Sequence, residues 1–164
     1  MAANLTEEAS KVRSNAASST IQIEFVFMDL KRDFESFKTQ FENPVTRHSS
    51  STEELANNEY RQLSEIKNRT ENLIKEVKSD AILCSSAVSA SLSPSSSPAL
   101  SSIISEITNV SINLIDANST LSQFSTSGNF SEQWQVLKTT LDHIGKALEG
   151  LKNTIDQILK LLFG

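Results

Sequence analysis

Apolar residues recur every three or four positions along four long segments of this chain, and this spacing constrains the fold more than any other feature. It places the apolar side chains on one stripe of a helix, which must then pack against neighbouring helices. In the third and fourth segments the steps alternate strictly between three and four. The stripe of the third segment is Leu100, Ile103, Ile107, Val110, Leu114, Ala117, Leu121 and Phe124. The stripe of the fourth is Phe130, Trp134, Leu137, Leu141, Ile144, Leu148, Leu151, Ile155, Ile158 and Leu162.

The first two segments keep this spacing with local irregularities. The first has two successive steps of four around Ile23, which indicates one stutter in a continuous helix. The second is weaker because Glu59 and Thr70 fall on its stripe. The first stripe is Leu5, Ala9, Val12, Ala16, Ser19, Ile23, Phe27, Leu30, Phe34, Phe37 and Phe41. The second is Leu55, Glu59, Leu63, Ile66, Thr70, Leu73, Val77, Ala81, Cys84, Val88 and Leu92.

Clusters of helix-breaking residues separate the four segments. Asn43-Pro44 ends the first, Ser51 with Glu54 fits a capping box, and Pro98 suits a first helical position. We therefore predict helices at about 5–42, 52–92, 98–124 and 130–163 within one domain, 1–164. The predicted fold is all-α: an elongated antiparallel four-helix bundle, up-down-up-down, with heptad-type coiled-coil packing.

The predicted helices differ in length. The first two would span about 57 and 61 Å and the third only about 40 Å. If all four stand side by side, the third cannot cover the whole bundle. We therefore expect a two-helix overhang that exposes a Phe-rich end, formed by Phe34, Phe37, Phe41, Leu55 and Tyr60.

Composition and motifs exclude several classes of function. The net charge of −5 and the absence of a Lys/Arg cluster argue against nucleic-acid binding. His48 and His143 belong to no paired metal motif, and Cys84 falls on a stripe, as a small core residue does. The four glycines are scattered, so no phosphate-binding loop is present. We expect no enzyme, no cofactor and no metal.

No apolar run reaches the roughly 18 residues that a membrane-spanning helix needs. Five sequons for N-glycosylation are present, at Asn4, Asn68, Asn109, Asn118 and Asn129. None falls on a stripe, so each could carry a glycan without disturbing helix packing. The sequons favour a secreted glycoprotein, although this chain carries no signal peptide; a cytoplasmic location is the alternative.

Some apolar residues lie beside the stripes rather than on them. In the stretch "STIQIEFVFMDL", Ile21, Phe25 and Met28 are spaced by four and three next to the main stripe. A broad core face, normal for a bundle helix buried against two neighbours, is the favoured explanation. The alternative is surplus apolar surface for a ligand, a lipid surface or a partner. Two further groups of this kind are Ile104, Ile112 and Ile115, and the C-terminal Leu161, Leu162 and Phe163.

The architecture is similar to that of exchangeable apolipoproteins such as the insect apolipophorin III family, which are amphipathic bundles of similar size without disulfides. The leading hypothesis is a non-enzymatic bundle that holds a lipid or other hydrophobic molecule between its helices. Peripheral contact with a membrane is compatible with this hypothesis. The alternative is a protein-interaction or structural bundle that pairs through a Phe-rich end. The oligomeric state is left open. The candidate binding residues are Ile21, Phe25, Met28, Phe37, Phe41, Leu161, Leu162 and Phe163.

Overall fold

The described residues of the computed structural model, 10–42, 52–91, 98–125 and 130–163, form four long helices. These are α1 (Ala17–Glu42), α2 (Thr52–Ser91), α3 (Pro98–Leu121) and α4 (Phe130–Phe163). No strand occurs in these ranges. The predicted all-α four-helix bundle is confirmed. The first stripe positions, Leu5 and Ala9, lie outside the described residues.

A π-helical turn, Val12–Ala16, leads directly into α1. The backbone N–H of Ala17 donates to the carbonyl oxygen of Val12, five residues earlier. A π turn accommodates one extra residue in a helix. Val12, Ala16 and Thr20 are all buried, two steps of four apart, whereas Ser19 is half-buried. In the structure, the two successive four-residue steps of the first stripe therefore lie close to this π turn. The sequence analysis placed them around Ile23.

The helices are arranged around a central contact between α2 and α4. Both α1 and α3 pack against each member of this pair, and the α3–α4 contact is the most extensive. It follows that α1 and α3 lie on opposite sides of the bundle. Each of these two helices buries one face and presents the other outward.

Contacts between named residues show the direction of some neighbouring helices. On α1 and α2, the hydroxyl of Thr20 donates to Asp80, and Asp33 pairs with Arg69. Partner numbers on α2 therefore fall as those on α1 rise. These contacts are those of antiparallel neighbours. The up-down-up-down order of the whole bundle and its heptad packing stay predictions.

Buried threonines on the helix faces satisfy their own hydroxyl groups. Thr70 is fully buried, and its hydroxyl donates to the carbonyl oxygen of Ile66 at 2.7 Å. Thr140 and Thr154 bond in the same way, to Val136 and Gly150. Because a hydroxyl bonded one turn back leaves only its methyl group to pack, threonine occupies the core without an unpaired polar group.

The expected overhang is wrong for two of its five residues. Phe34 and Phe37 are buried, and the ring of Phe34 stacks on Trp134 of α4 with centroids 4.7 Å apart. Because α4 begins at Phe130, it covers this end of α1 even though α3 does not reach it. The side chains of Phe41, Leu55 and Tyr60 lie outside the described residues.

The third helix ends at Leu121 rather than at Phe124. The N–H groups of Gln123 and Phe124 donate to the carbonyl oxygens of Thr120 and Leu121, three residues earlier, so the chain tightens into a turn. The side chain of Gln133 then accepts a 2.6 Å hydrogen bond from the N–H of Ser125. This bond joins the turn to the first part of α4.

Two glycines of α4 differ in their surroundings, and this difference predicts opposite mutational effects. A Cβ at Gly150 would lie 2.9 Å from the Cγ2 of Val110, a stiff side chain that cannot move aside. A Cβ at Gly145 would meet only the ring edge of Phe27, at 3.3 Å. Glycine at 150 therefore allows α3 to approach α4 closely.

We expect Gly150→Ala to lower the free energy of unfolding by about 1 kcal/mol, because overpacking outweighs the gain in helix propensity. Gly145→Ala is expected to raise it by about 0.5 kcal/mol, since little opposes that gain. Urea denaturation of both variants measures the two values. Stabilisation by both substitutions would contradict the close approach at Gly150.

Candidate ligand-binding groove and exposed apolar surfaces

The apolar residues beside the first stripe are exposed. Ile21 is 58%, Phe25 is 66% and Met28 is 60% exposed, and they follow one another along the outer side of α1. We call these three residues the outer α1 row. A broad core face does not explain them, because no neighbouring helix among the described residues covers them. The structure thus leaves them available to a ligand or partner.

The outer side of α3 is also apolar. Ile104, Ile112 and Ile115 are exposed there, while Ile103 and Val110 on the opposite side are buried. Only Glu106 and Asp116 are charged within Pro98–Leu121. The position of α3 at the side of the bundle explains this exposure, since its main contacts among the described residues are with α2 and α4.

A groove of about 350 Å³ runs between α2 and α3. Ile115 is 65% exposed and Ile82, which the sequence did not single out, is 56% exposed. Ile107 is half-buried in the same groove. We call it the α2–α3 groove. Its lining consists of Lys78, Ala81, Ile82, Ser85, Ile107, Ser111, Leu114, Ile115 and Asn118.

A second depression continues the α2–α3 groove along the same pair of helices. The two share Lys78 and Asn118, so they meet at these residues. The second has a volume of about 550 Å³ and is more polar. We call it the basic end. Its lining consists of Lys67, Glu71, Ile74, Lys75, Lys78, Asn118, Leu121, Ser122 and Phe124.

Lysines dominate the charge of the basic end. Lys67 pairs with Glu71 of the same helix, at 2.8 Å between Nζ and Oε1. Lys75 and Lys78 have no ion-pair partner among the described residues, and both are exposed. The two carboxylates of α3, Glu106 and Asp116, line neither part of the groove. The basic end is therefore a locally positive site on a chain of net charge −5.

A third depression, of about 330 Å³, lies between α1 and α4 beside the stacked rings of Phe34 and Trp134. Two lysines and two carboxylates line it. Its full lining is Lys31, Phe34, Glu35, Trp134, Lys138, Leu141 and Asp142. These balanced charges favour no ligand charge, and the depression offers less apolar surface than the α2–α3 groove.

A buried polar cluster joins α1 to α2. The hydroxyl of Thr20 donates to a carboxylate oxygen of Asp80 at 3.0 Å, and both side chains are buried. Burial raises the pKa of Asp80, with hydrogen bonds from Thr20 and Ser19 partly offsetting it and the charge of Glu76 adding to it. The apolar periodicity gave no signal for Asp80, which lies beside the second stripe.

Cys84 lies one turn from Asp80 and is fully buried. Burial, assisted by the nearby charge of Asp80, raises the pKa of its thiol to about 12. The thiol is therefore protonated at neutral pH and is a poor nucleophile. The structure agrees with the sequence-based interpretation of Cys84 as a small core residue.

We expect Cys84 to be unreactive towards a disulfide reagent such as DTNB at pH 8 while the protein is folded. Unfolding in guanidinium should release one reactive thiol per chain, because the chain has a single cysteine. Absorbance at the wavelength of the released thiolate measures both reactions. Rapid, complete labelling of the folded protein would contradict the burial of Cys84.

Metal-binding side chains are not gathered into a site in the described part of the chain. His143 is half-buried, and its Nδ1 has no hydrogen-bond partner in the described part of the chain. Within that part, no three His, Cys, Asp or Glu side chains are placed to hold a metal ion. None of the described helices is long and apolar enough to cross a membrane. His48 lies outside the described residues.

Three of the five sequon asparagines are described, and all three are exposed: Asn68, Asn109 and Asn118. Asn4 and Asn129 lie outside the described residues. Asn118 is notable because it lines both the α2–α3 groove and the basic end. A glycan on Asn118 would cover the point where the two meet.

Of the remaining predicted binding residues, Phe37 is the one whose side chain is described. Phe37 is 5% exposed, so the expectation that it forms an exposed partner site is wrong. It is buried because α1 turns this side towards the other helices. The side chains of Phe41, Leu161, Leu162 and Phe163 lie outside the described residues.

Comparison of the chain with protein-family models, curated proteins and solved structures gave no significant match. The functional proposals below therefore depend on the surfaces and groups described above.

Proposed function

We propose that this protein is a non-enzymatic helical bundle that binds a hydrophobic ligand in the α2–α3 groove. The observation that carries the proposal is the exposure of Ile82 and Ile115 on facing sides of a groove of about 350 Å³. Ligand sites are typically concave and largely apolar, with volumes from about 300 Å³ upward. The α2–α3 groove combines these properties.

The hydrophobic effect supplies the driving force for such binding. Covering an exposed isoleucine side chain is favourable by about 1.5–3 kcal/mol. Ile82, Ile107 and Ile115 can all be covered by one apolar ligand, since they line the same groove. Part of this gain is lost to the immobilisation of the ligand.

Titration with an uncharged apolar fluorophore, N-phenyl-1-naphthylamine, tests the proposal. We expect saturable binding to the full chain. We expect Ile115→Asp to weaken that binding about tenfold or more, because it places a charge in the groove and removes apolar contact.

Ile104→Asp is the matched control. Ile104 is exposed on the same helix, but it does not line the groove. The affinity of the Ile104→Asp variant for the dye should therefore lie within about twofold of that of the original protein, a difference below 0.5 kcal/mol. Far-ultraviolet circular dichroism checks that both variants keep their helix content. Absence of saturable binding, or an equal loss in the two variants, would sink the proposal.

The outer α1 row supports a second candidate function, association with another protein. Ile21, Phe25 and Met28 form an exposed apolar row on the side of the bundle opposite α3. Sedimentation over a concentration series tests self-association. A dimer that dissociates on the substitution Phe25→Asp would support this function. A monomer at all concentrations would exclude self-association through the outer α1 row.

We also propose that the protein is secreted and glycosylated. The exposure of Asn68 and Asn109 supports this, because attached glycans would point into solvent and neither residue lines the α2–α3 groove or the basic end. A mass decrease on glycosidase treatment of the protein from its native source tests the proposal.

A further inference from the structure

The α2–α3 groove and the basic end together form one amphipathic surface. The groove contributes the apolar side chains of Ile82, Ile107 and Ile115, and the basic end contributes Lys75 and Lys78. Lys78 belongs to both, so the change from apolar to positive occurs at this residue. A ligand that extends along this surface would meet isoleucines first. At its other end it would meet Lys75 and Lys78, which have no ion-pair partner among the described residues.

We propose that this surface binds a long-chain fatty acid, with its hydrocarbon chain in the α2–α3 groove and its carboxylate beside Lys75 and Lys78. This inference rests on the proposed hydrophobic-ligand function and adds the chemical class of the ligand. Charge complementarity carries it. Three lysines and one glutamate line the basic end, and Lys67 already pairs with that glutamate, Glu71.

The neighbouring helix leaves this positive charge uncompensated. Asn118 of α3 and Ser122, which follows the end of α3, both line the basic end; they are uncharged but can donate hydrogen bonds to a carboxylate. On α2, Glu76 follows Lys75 but lines neither part of the groove. Among the described residues, the one carboxylate that lines the basic end is Glu71, which pairs with Lys67. A bound carboxylate beside Lys75 and Lys78 would therefore meet donors and positive charges.

The physical roles of the two halves differ. Hydrophobic burial supplies most of the affinity, because lysines this exposed contribute little to binding energy. The lysines instead favour an anionic head group over a neutral one and fix the direction in which the ligand lies. The preference for the anion should decrease as salt concentration rises, since screening acts strongly on exposed charges.

The test compares oleate with oleyl alcohol, which has the same chain and an uncharged head. Both are titrated below their aggregation concentration as competitors of N-phenyl-1-naphthylamine, with the full chain, at low salt and pH 8. We expect oleate to bind about fivefold more tightly than the alcohol. We expect this preference to disappear in Lys75→Gln/Lys78→Gln, with the affinity for oleyl alcohol unchanged.

A second double variant, Lys146→Gln/Lys160→Gln, removes the same charge from α4, away from the groove. Both of these lysines are exposed, and neither lines the α2–α3 groove or the basic end. This variant should retain the preference for oleate. An equal loss in both double variants would show that net charge alone produces the preference, and would overturn the inference.

The outcomes separate the inference from the function beneath it. Equal binding of oleate and oleyl alcohol by the original protein would overturn the fatty-acid assignment and leave the hydrophobic-ligand function standing. Failure of oleate, oleyl alcohol and the dye to bind would overturn both. Tighter oleate binding that depends on Lys75 and Lys78 would support both.

Discussion

Phe34→Ala is expected to lower the free energy of unfolding by about 3–5 kcal/mol, the usual cost of deleting a buried aromatic ring. The ring of Phe34 is 3% exposed and stacks on Trp134 with an interplanar angle of 15°. Its removal would leave a cavity between α1 and α4 and also remove the stacking interaction. Guanidinium denaturation followed by circular dichroism measures the change.

Phe25→Ala is the matched control for this prediction. Both phenylalanines lie on α1, but Phe25 is 66% exposed and belongs to the outer α1 row. Its substitution should change the free energy of unfolding by about 0.5 kcal/mol or less. A comparable loss from both substitutions would mean that α1 is oriented differently in the bundle.

Thr20→Val is expected to lower the free energy of unfolding by about 1.5–3 kcal/mol at pH 7, the range for a hydrogen bond to a charged group. The substitution nearly preserves the shape of the side chain but removes one of the two hydroxyl groups, the other being that of Ser19, that hydrogen-bond to Asp80. Burial already raises the pKa of Asp80, and the loss of this donor raises it further. Thermal or denaturant unfolding at several pH values measures the effect.

The pH dependence has a definite sign. Because the pKa of Asp80 is higher in the folded protein than in the unfolded chain, its stabilising contribution is full below the unfolded pKa, about 3.9. That contribution is lost as pH rises through the folded pKa. The cost of Thr20→Val should therefore be smaller near pH 3.5 than at pH 7. An equal cost at both pH values would contradict the role of the charged carboxylate.

The double variant Thr20→Val/Asp80→Leu distinguishes a paired contact from two independent effects. Replacing both partners by apolar residues removes the two buried polar groups of this contact, so most of the stability lost in Thr20→Val should return. The stability of the double variant should also depend less on pH between about 4 and 7, because it lacks the titrating group. If the double variant were less stable than Thr20→Val, the two side chains would not be coupled in the expected way.

Periodicity predicted the helices well where it was regular. The starts of α3 and α4 at Pro98 and Phe130 agree with the sequence, because a proline and a loop rich in serine mark them clearly. The end of α3 was less accurate, since Phe124 continues the apolar spacing although its backbone has left the helix. Spacing reports which side chains are buried, and a buried side chain does not require a helical backbone.

The candidate site was only partly predictable. Ile115 was identified as surplus apolar surface, but Ile82 was not, because among the described side chains of α2 it is the one large apolar residue that is exposed. A groove between two helices depends on how they face each other, and neither sequence segment contains that information. The positive charge of Lys75 and Lys78 likewise gains significance only from its position beside α3.

The sequence by itself determined that the chain forms four amphipathic helices, because apolar spacing and helix-breaking residues act locally. The tertiary structure decided which side of each helix is covered. It buried Phe34 and Phe37 against other helices, left Ile21, Phe25 and Met28 exposed, and brought Ile82 next to Ile115. The physical reason is that burial depends on the neighbours of a helix. Since the main contacts of α1 and α3 among the described residues are with α2 and α4, their outer sides stay open to a ligand or partner.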